Sequence, residues 1–86
     1  MYKPAYRDGF RRILKKLSKK DRLMLERIKK KSKEIVRNPH SYKPLSNDMK
    51  KFRRVHLDPF ILVFSIDEEE KRVWFEDFEH HDNAYK

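Results

Sequence analysis

Cysteine and glutamine are missing from this 86-residue chain, and glycine occurs once. Without cysteine there can be neither a disulfide framework nor a Cys-ligated zinc site. A reducing compartment fits that usage, and a cytoplasmic protein is the expectation. One glycine leaves no room for a Gly-rich phosphate loop or a serine-hydrolase elbow. Long hydrophobic runs are lacking too. No stretch approaches the roughly 20 apolar residues that span a bilayer, and no apolar leader opens the chain, so no membrane role is expected. With no Pro/Gly/Ser-rich linker and no internal repeat, residues 1–86 should form a single domain with a modest core.

Charge is what the chain has in excess, and it is unevenly placed. Residues 1–54 carry 20 Lys/Arg against 5 Asp/Glu, whereas residues 55–86 carry 3 against 9. The basic part should attract a polyanion, either nucleic acid or an acidic protein. The plainer alternative is a set of solvated Lys-rich helices. Abundant charge with little Gly, Gln or Cys also resembles the composition of proteins from hot environments.

Lys3–Arg7 is a candidate first strand, restricted to an edge by Pro4. Asp8 is a candidate N-cap for a helix whose Phe10, Ile13, Leu14 and Leu17 recur at i, i+3, i+4 and i+7, a single helix face. That pattern ends at Ser18, which with Asp21 has capping-box spacing for a second helix. The second helix should run to about Arg37 and bury Leu25, Ile28 and Ile35 with some of Leu23, Met24 and Val36. Asn38–Pro39 stops it, since proline cannot continue the ladder and disfavours helix in the residue before it. His40–Lys51 reads as a polar loop anchored by Leu45. Phe52–Leu57, Phe60–Asp67 and Arg72–Glu79 then form an antiparallel meander, with Phe60–Ile66 as its apolar central strand. The tail from His80 is polar and too short for another packed element. The expected fold is α+β, a β-α-α-β-β-β chain whose N-terminal helical hairpin packs on a small antiparallel sheet and leaves the other sheet face open.

Chemistry should sit on that open face. Strand alternation puts Phe52, Arg54 and His56 on one side and Arg53, Val55 and Leu57 on the other. In the last strand, Trp74, Glu76 and Phe78 share one face and Val73, Phe75 and Asp77 the other; periodicity does not say which set meets the helices. Histidine can take and give a proton near neutrality, and arginine holds phosphate through paired hydrogen bonds. Arg54 and His56, with His80, His81 and Tyr85 near the sheet's end, therefore suit metal-free RNA cleavage through the ribose 2′-hydroxyl. The competing readings are a structural histidine, a solvated His-His-Asp tail and a Tyr85 that closes the core. A zinc site from His56, His80, His81 and Asp82 is disfavoured, because neighbouring residues of an extended chain point to opposite sides.

Two basic helices, Lys43–Pro44–Leu45, the run Arg53–Arg54–Val55–His56–Leu57–Asp58–Pro59, the apolar Ile61–Asp67 and a closing His81–Asp82–Asn83–Ala84–Tyr85 resemble, in that order, the RelE/ParE toxins of type II toxin–antitoxin pairs, closest to the RelE and YafQ branch. The resemblance covers nearly the whole chain. It implies a ribosome-dependent endoribonuclease that cuts messenger RNA in the A site without cofactor or metal. It also implies a hetero-oligomer with a RelB-like antitoxin, which the basic surface requires to be acidic. By the same resemblance, His56 is the histidine of the H-x-x-P motif and His81 precedes the closing aromatic Tyr85 by four residues. Arg54 and His56 occupy the positions of RelE's catalytic lysines. Phosphate contacts are expected from Lys43, Lys50, Lys51 and Arg53, and ribosomal RNA contacts from Lys29, Lys30 and Lys31. Three positions depart from the pattern: Lys43 replaces a histidine, Phe60 an acidic residue and Ile61 an arginine. A ParE-like gyrase inhibitor and a degenerate toxin that only binds antitoxin or RNA are the alternatives.

Overall fold

The computed structural model describes residues 1–44 and 51–84. The chain runs through β1 (Lys3–Tyr6), α1 (Asp8–Lys20), α2 (Arg22–Arg37) and a single 3-10 turn over Pro39–Ser41. It continues through β2 (Phe52–Leu57), β3 (Phe60–Asp67), β4 (Arg72–His80) and a terminal helical turn, α3 (His81–Ala84). The strands form one sheet in the order β1-β4-β3-β2, with α1 and α2 on one of its faces. The meander is antiparallel as expected, while the edge strand β1 pairs with β4 in parallel. Pro4 sits on that edge, where a missing N–H costs no ladder bond.

The core lies between the helices and the sheet. Phe10, Phe64 and Phe75 are fully buried at its centre, with Tyr6 stacked on Phe10 and Phe75 at 6.1 and 5.5 Å between ring centres. Aromatic pairs of this kind add about 0.5–1.5 kcal/mol each beyond their area burial. Ile13, Leu14 and Leu17 complete the α1 stripe, and α2 contributes Met24, Ile28 and Ile35. Leu23 points to solvent and is 77% exposed, so it is not part of the core.

The helix ends differ from the expectation. α1 starts from Arg7, with Asp8 inside its first turn and no side-chain cap. It also continues past Ser18 to Lys20; the Ser18 hydroxyl donates back to the Lys15 carbonyl at 2.6 Å instead of capping α2. Asp21 caps α2, its carboxylate accepting from the Met24 N–H at 3.0 Å. The capping residue is the one whose side chain meets an orphan N–H, and that is Asp21. α2 ends at Arg37 before a buried Pro39, as read from Asn38–Pro39. The Arg27 guanidinium then donates to the Asp58 carbonyl at 3.0 Å, tying α2 to the β2–β3 turn. Leu45 and Lys50 of the expected loop lie outside the described residues.

β4 holds the largest departure. Val63 pairs with Asp77 but Phe64 pairs with Phe75, so β4 carries one extra residue, Glu76. Side-chain alternation slips there. Val73 and Phe75 before the bulge and Phe78 after it all reach the helix-side core. Phe78 therefore does not share a face with Trp74 and Glu76. The tail also differs, because α3 forms one helical turn against β3 and β4.

A polar tether closes the N-terminal edge. The Glu68 carboxylate accepts from Lys71 Nζ at 2.9 Å and from the Tyr2 hydroxyl at 2.7 Å, and His40 Nε2 lies 2.6 Å away. These bonds hold its carboxyl at about 2, well under the usual glutamate range. A depressed carboxyl stabilises the fold above its unfolded-state pKa and loses that contribution as pH falls towards the folded value. Thermal melting should therefore drop as pH falls from the usual glutamate range through about 2, and Glu68→Gln should flatten that slope. A variant melting with the wild-type pH profile would refute the assignment. Gly9 lies in the first turn of α1 with nothing within 4 Å of an added Cβ, so Gly9→Ala should raise stability by about 0.5–1 kcal/mol in denaturant titration.

Candidate functional site on the open sheet face

Register assigns the face away from the helices. Val55 and Leu57 of β2 lie opposite Leu62 and Phe60, which belong to the core side. The intervening pairs, Phe52 with Ser65, Arg54 with Val63 and His56 with Ile61, therefore occupy the open face. β4 extends these rows with Trp74, Asp77 and Glu79. Glu76 joins this face, since one of its carboxylate oxygens accepts from the Ser65 hydroxyl at 2.6 Å.

The two histidines meet through backbone pairing at the sheet's end. Phe60, the first residue of β3, pairs with His80, the last of β4. The next N–H, that of His81, donates to the Pro59 carbonyl at 2.9 Å. The turn after His56 thus holds the start of α3, and the His56 and His81 rings lie 6.1 Å apart at 32°. His80 goes the other way, edge-on to Phe60 at 5.7 Å. The Asp82 carboxylate lies close to both rings, 3.7 Å from His80 Nδ1 and 3.8 Å from His81 Nδ1. Ile61 is fully buried although it lies on the open face, beneath this end of the sheet.

Arg54 lies two residues from His56 on the same face, roughly 7 Å along the strand, and is half-buried. Its backbone N–H donates to the Lys43 carbonyl at 3.3 Å, so Lys43 borders the same edge. Arg53 is turned to the other side and donates to the Tyr42 carbonyl, away from Arg54 and His56. Lys29 and Lys31 pair with Glu26 and Glu34 on the surface of α2, and Lys30 stands between them. These three belong to the helical layer, not to the histidine face. Lys51 enters the sheet next to Phe52, its ammonium 5.1 Å from that ring's centre. Lys50 and Tyr85 lie outside the described residues. Among the described residues, no three His, Cys, Asp or Glu side chains converge as metal ligands.

Sequence reasoning missed a second cluster on this face. Arg7 forks onto Glu76 through Nε at 3.0 Å and Nη2 at 3.2 Å, while its guanidinium lies 4.1 Å from the centre of the Trp74 ring. Burial pushes the Glu76 carboxyl up; hydrogen bonds from Arg7 and Ser65 and the charges of Arg7 and Lys51 outweigh it and hold the group below the usual range. Only the parallel pairing of β1 with β4 brings Arg7 here. Its sole sequence signal is an arginine at the end of the candidate edge strand Lys3–Arg7.

Comparison with known proteins settles the family. Residues 3–85 match the family described as the ParE toxin of type II toxin–antitoxin systems. The chain belongs to the RelE/ParE toxin superfamily. It is 49% identical over 87 residues to a candidate RelE toxin, RelE4, of Methanocaldococcus jannaschii, covering 100% of this chain and 93% of that one. A second archaeal relative, an uncharacterised protein of Methanosarcina mazei, is 52% identical over 71 residues, or 81% of this chain and 83% of that one. In fold, the toxin is similar to isolated E. coli RelE, with a TM-score of 0.75 at 19% identity over 93% of this chain and 84% of that one. RelE in the intact E. coli RelBE complex gives the same TM-score and identity, with coverage of 93% and 96%. The expected RelE-like α+β architecture is therefore the observed one.

The Arg7 fork makes a measurable prediction. With Arg7→Ala, burial of Glu76 is opposed by fewer partners, so its protonation should move to higher pH. Carboxyl-carbon NMR titration of Glu76 reads this directly. An unmoved midpoint would show that the fork does not set the charge state.

Proposed function

We propose that this member of the RelE/ParE superfamily is a toxin that cleaves messenger RNA in the ribosomal A site, with no metal or cofactor in the step. The observation that carries the reading is the convergence of His56 and His81 at 6.1 Å, beside Arg54 on the same exposed sheet face. A pure binding surface has no need of two titratable rings held together. In the proposed step, one imidazole takes the proton of the ribose 2′-hydroxyl, and that oxygen attacks the adjacent phosphorus. The P–O5′ bond breaks to leave a 2′,3′-cyclic phosphate, and the other imidazole gives a proton to the departing 5′ oxygen. Arg54 neutralises the charge that develops on the phosphoryl oxygens, where it acts on the transition state more than on the ground state.

Lys43 and Lys51 flank this face and would steer the RNA backbone, with Lys50 from the neighbouring segment. Tyr85 would stack on a base beside the cut. Lys29, Lys30 and Lys31, on the opposite layer, would dock on ribosomal RNA, a salt-sensitive and sequence-independent role. The solved E. coli RelBE complex supports a cognate antitoxin for this chain as well. The excess of Lys and Arg in the first 54 residues calls for an acidic one.

Replacing His81 or Arg54 with Ala should relieve growth arrest and remove cut messages from a translation extract, while circular dichroism stays that of the wild type. Loss of one proton-transfer group costs about 10²–10⁴ in rate. Full toxicity in both variants, or arrest of replication with intact messages, would overturn the reading in favour of a ParE-like gyrase inhibitor.

A further inference from the structure

The open face carries a second feature that cleavage does not use. A hollow of about 540 Å³ lies at the end of the sheet away from the histidines, walled by Phe52 and Lys51 on one side and by Arg7, Trp74 and Glu76 on the other. Its size is that of a small-ligand site. From the His56 row to the Phe52 row is four strand residues, roughly 13 Å. We propose that this hollow seats one unpaired nucleobase of the single-stranded RNA, laid flat on the Arg7 guanidinium with Trp74 behind it, one or more nucleotides from the cut. The assignment rests on the RNA-cleavage reading and deepens it by naming a base-binding subsite.

Three features carry it. First, the Arg7 plane is fixed in advance. Glu76 holds its edge through two bonds, Ser65 holds Glu76, and Trp74 backs one face of the guanidinium. The Arg7 side chain nonetheless remains 50% exposed. A guanidinium bonded at its edge and stacked on one side offers its other flat face, and single-stranded bases stack on such planes. Because the plane is already ordered, a ligand spends little entropy in fixing it.

Second, the charge of the hollow selects a base over a phosphate. An unengaged arginine fork is a phosphate ligand, but the Nε and Nη2 donors of Arg7 are already given to Glu76. Asp67, Glu68 and Glu69 line the same hollow, so with Glu76 its carboxylates outnumber Arg7 and Lys51. A phosphodiester is repelled there, whereas a neutral ring is not. Third, the hollow and the histidines share one continuous sheet face, so a strand crossing it along β2 passes Phe52, Arg54 and His56 in turn.

Trp74 is the chain's single tryptophan, so its fluorescence reports the site without a label. The probe is a 2′-O-methyl hexa-adenylate, which lacks the nucleophile and cannot be cut. Titrated into the full chain, it should quench Trp74 saturably. A strand of six abasic residues with the same phosphates should bind about tenfold or more weakly, the order expected for loss of one stacked base, and leave the emission unchanged. Arg7→Lys, which keeps the charge but loses the plane, should weaken the adenylate by about fivefold or more. Equal affinity and equal quenching by the two strands would overturn the site, as would an Arg7→Lys variant that binds like the wild type. The comparison of strands needs no variant, so the test stands even if the substitution fails to fold. Full toxicity of the His81 and Arg54 variants would sink the cleavage reading instead, a separate outcome.

Discussion

β4 contains one residue more than its partner strand, and both faces of the sheet depend on where that residue lies. Before the bulge, Val73 and Phe75 point to the helices; after it, Phe78 does. Without the slip, strict alternation would send Phe78 to solvent and draw Asp77 into the core. An unpaired buried carboxylate is far more costly than a broken ladder step. The bulge instead keeps three apolar side chains under α1 and α2 and leaves Glu76 and Asp77 on the open side. That placement puts the Glu76 carboxylate where Arg7 and Ser65 reach it. Bulges beside functional sites commonly re-aim side chains in this way.

The other organising constraint is the pairing of Phe60 with His80. It fixes where the sheet ends, and therefore where the chain leaves it. His81 follows immediately and is caught by the Pro59 carbonyl, which brings two imidazoles that are 25 positions apart in sequence onto one patch. The basic surplus of the helices lies on the other layer of the domain. The paired histidines and the basic helix surface thus lie on different sides of the domain.

Much of this was legible from local pattern. The β2 and β3 limits, the stop at Asn38–Pro39 and the α1 stripe follow from period-2 and period-3.6 spacing and from proline's missing N–H. The errors share one cause. Ser18 and Asp21 both have capping chemistry, and the choice falls to whichever oxygen lies over an N–H once the two helices pack against the sheet. Leu25 is apolar but only half-buried and lies outside the core cluster, because Met24 and Ile28 hold the buried side of α2. Unbroken alternation would keep Phe78 with Trp74 and Glu76, and the bulge invalidates it without a glycine or proline to mark the slip. Arg53 follows the alternation that separates it from Arg54, its guanidinium donating to the Tyr42 carbonyl on the other side of β2.

The amino-acid order alone determined the two long helices and the three meander strands, which half is basic, and that Arg54 and His56 share a face, because each depends on neighbours a few residues apart. Folding in three dimensions decided the rest. The meeting of His56 with His81 and the setting of Arg7 against Trp74 and Glu76 both arise from strand pairings between distant segments. No local periodicity encodes which strand lies beside which, or where one slips by a residue.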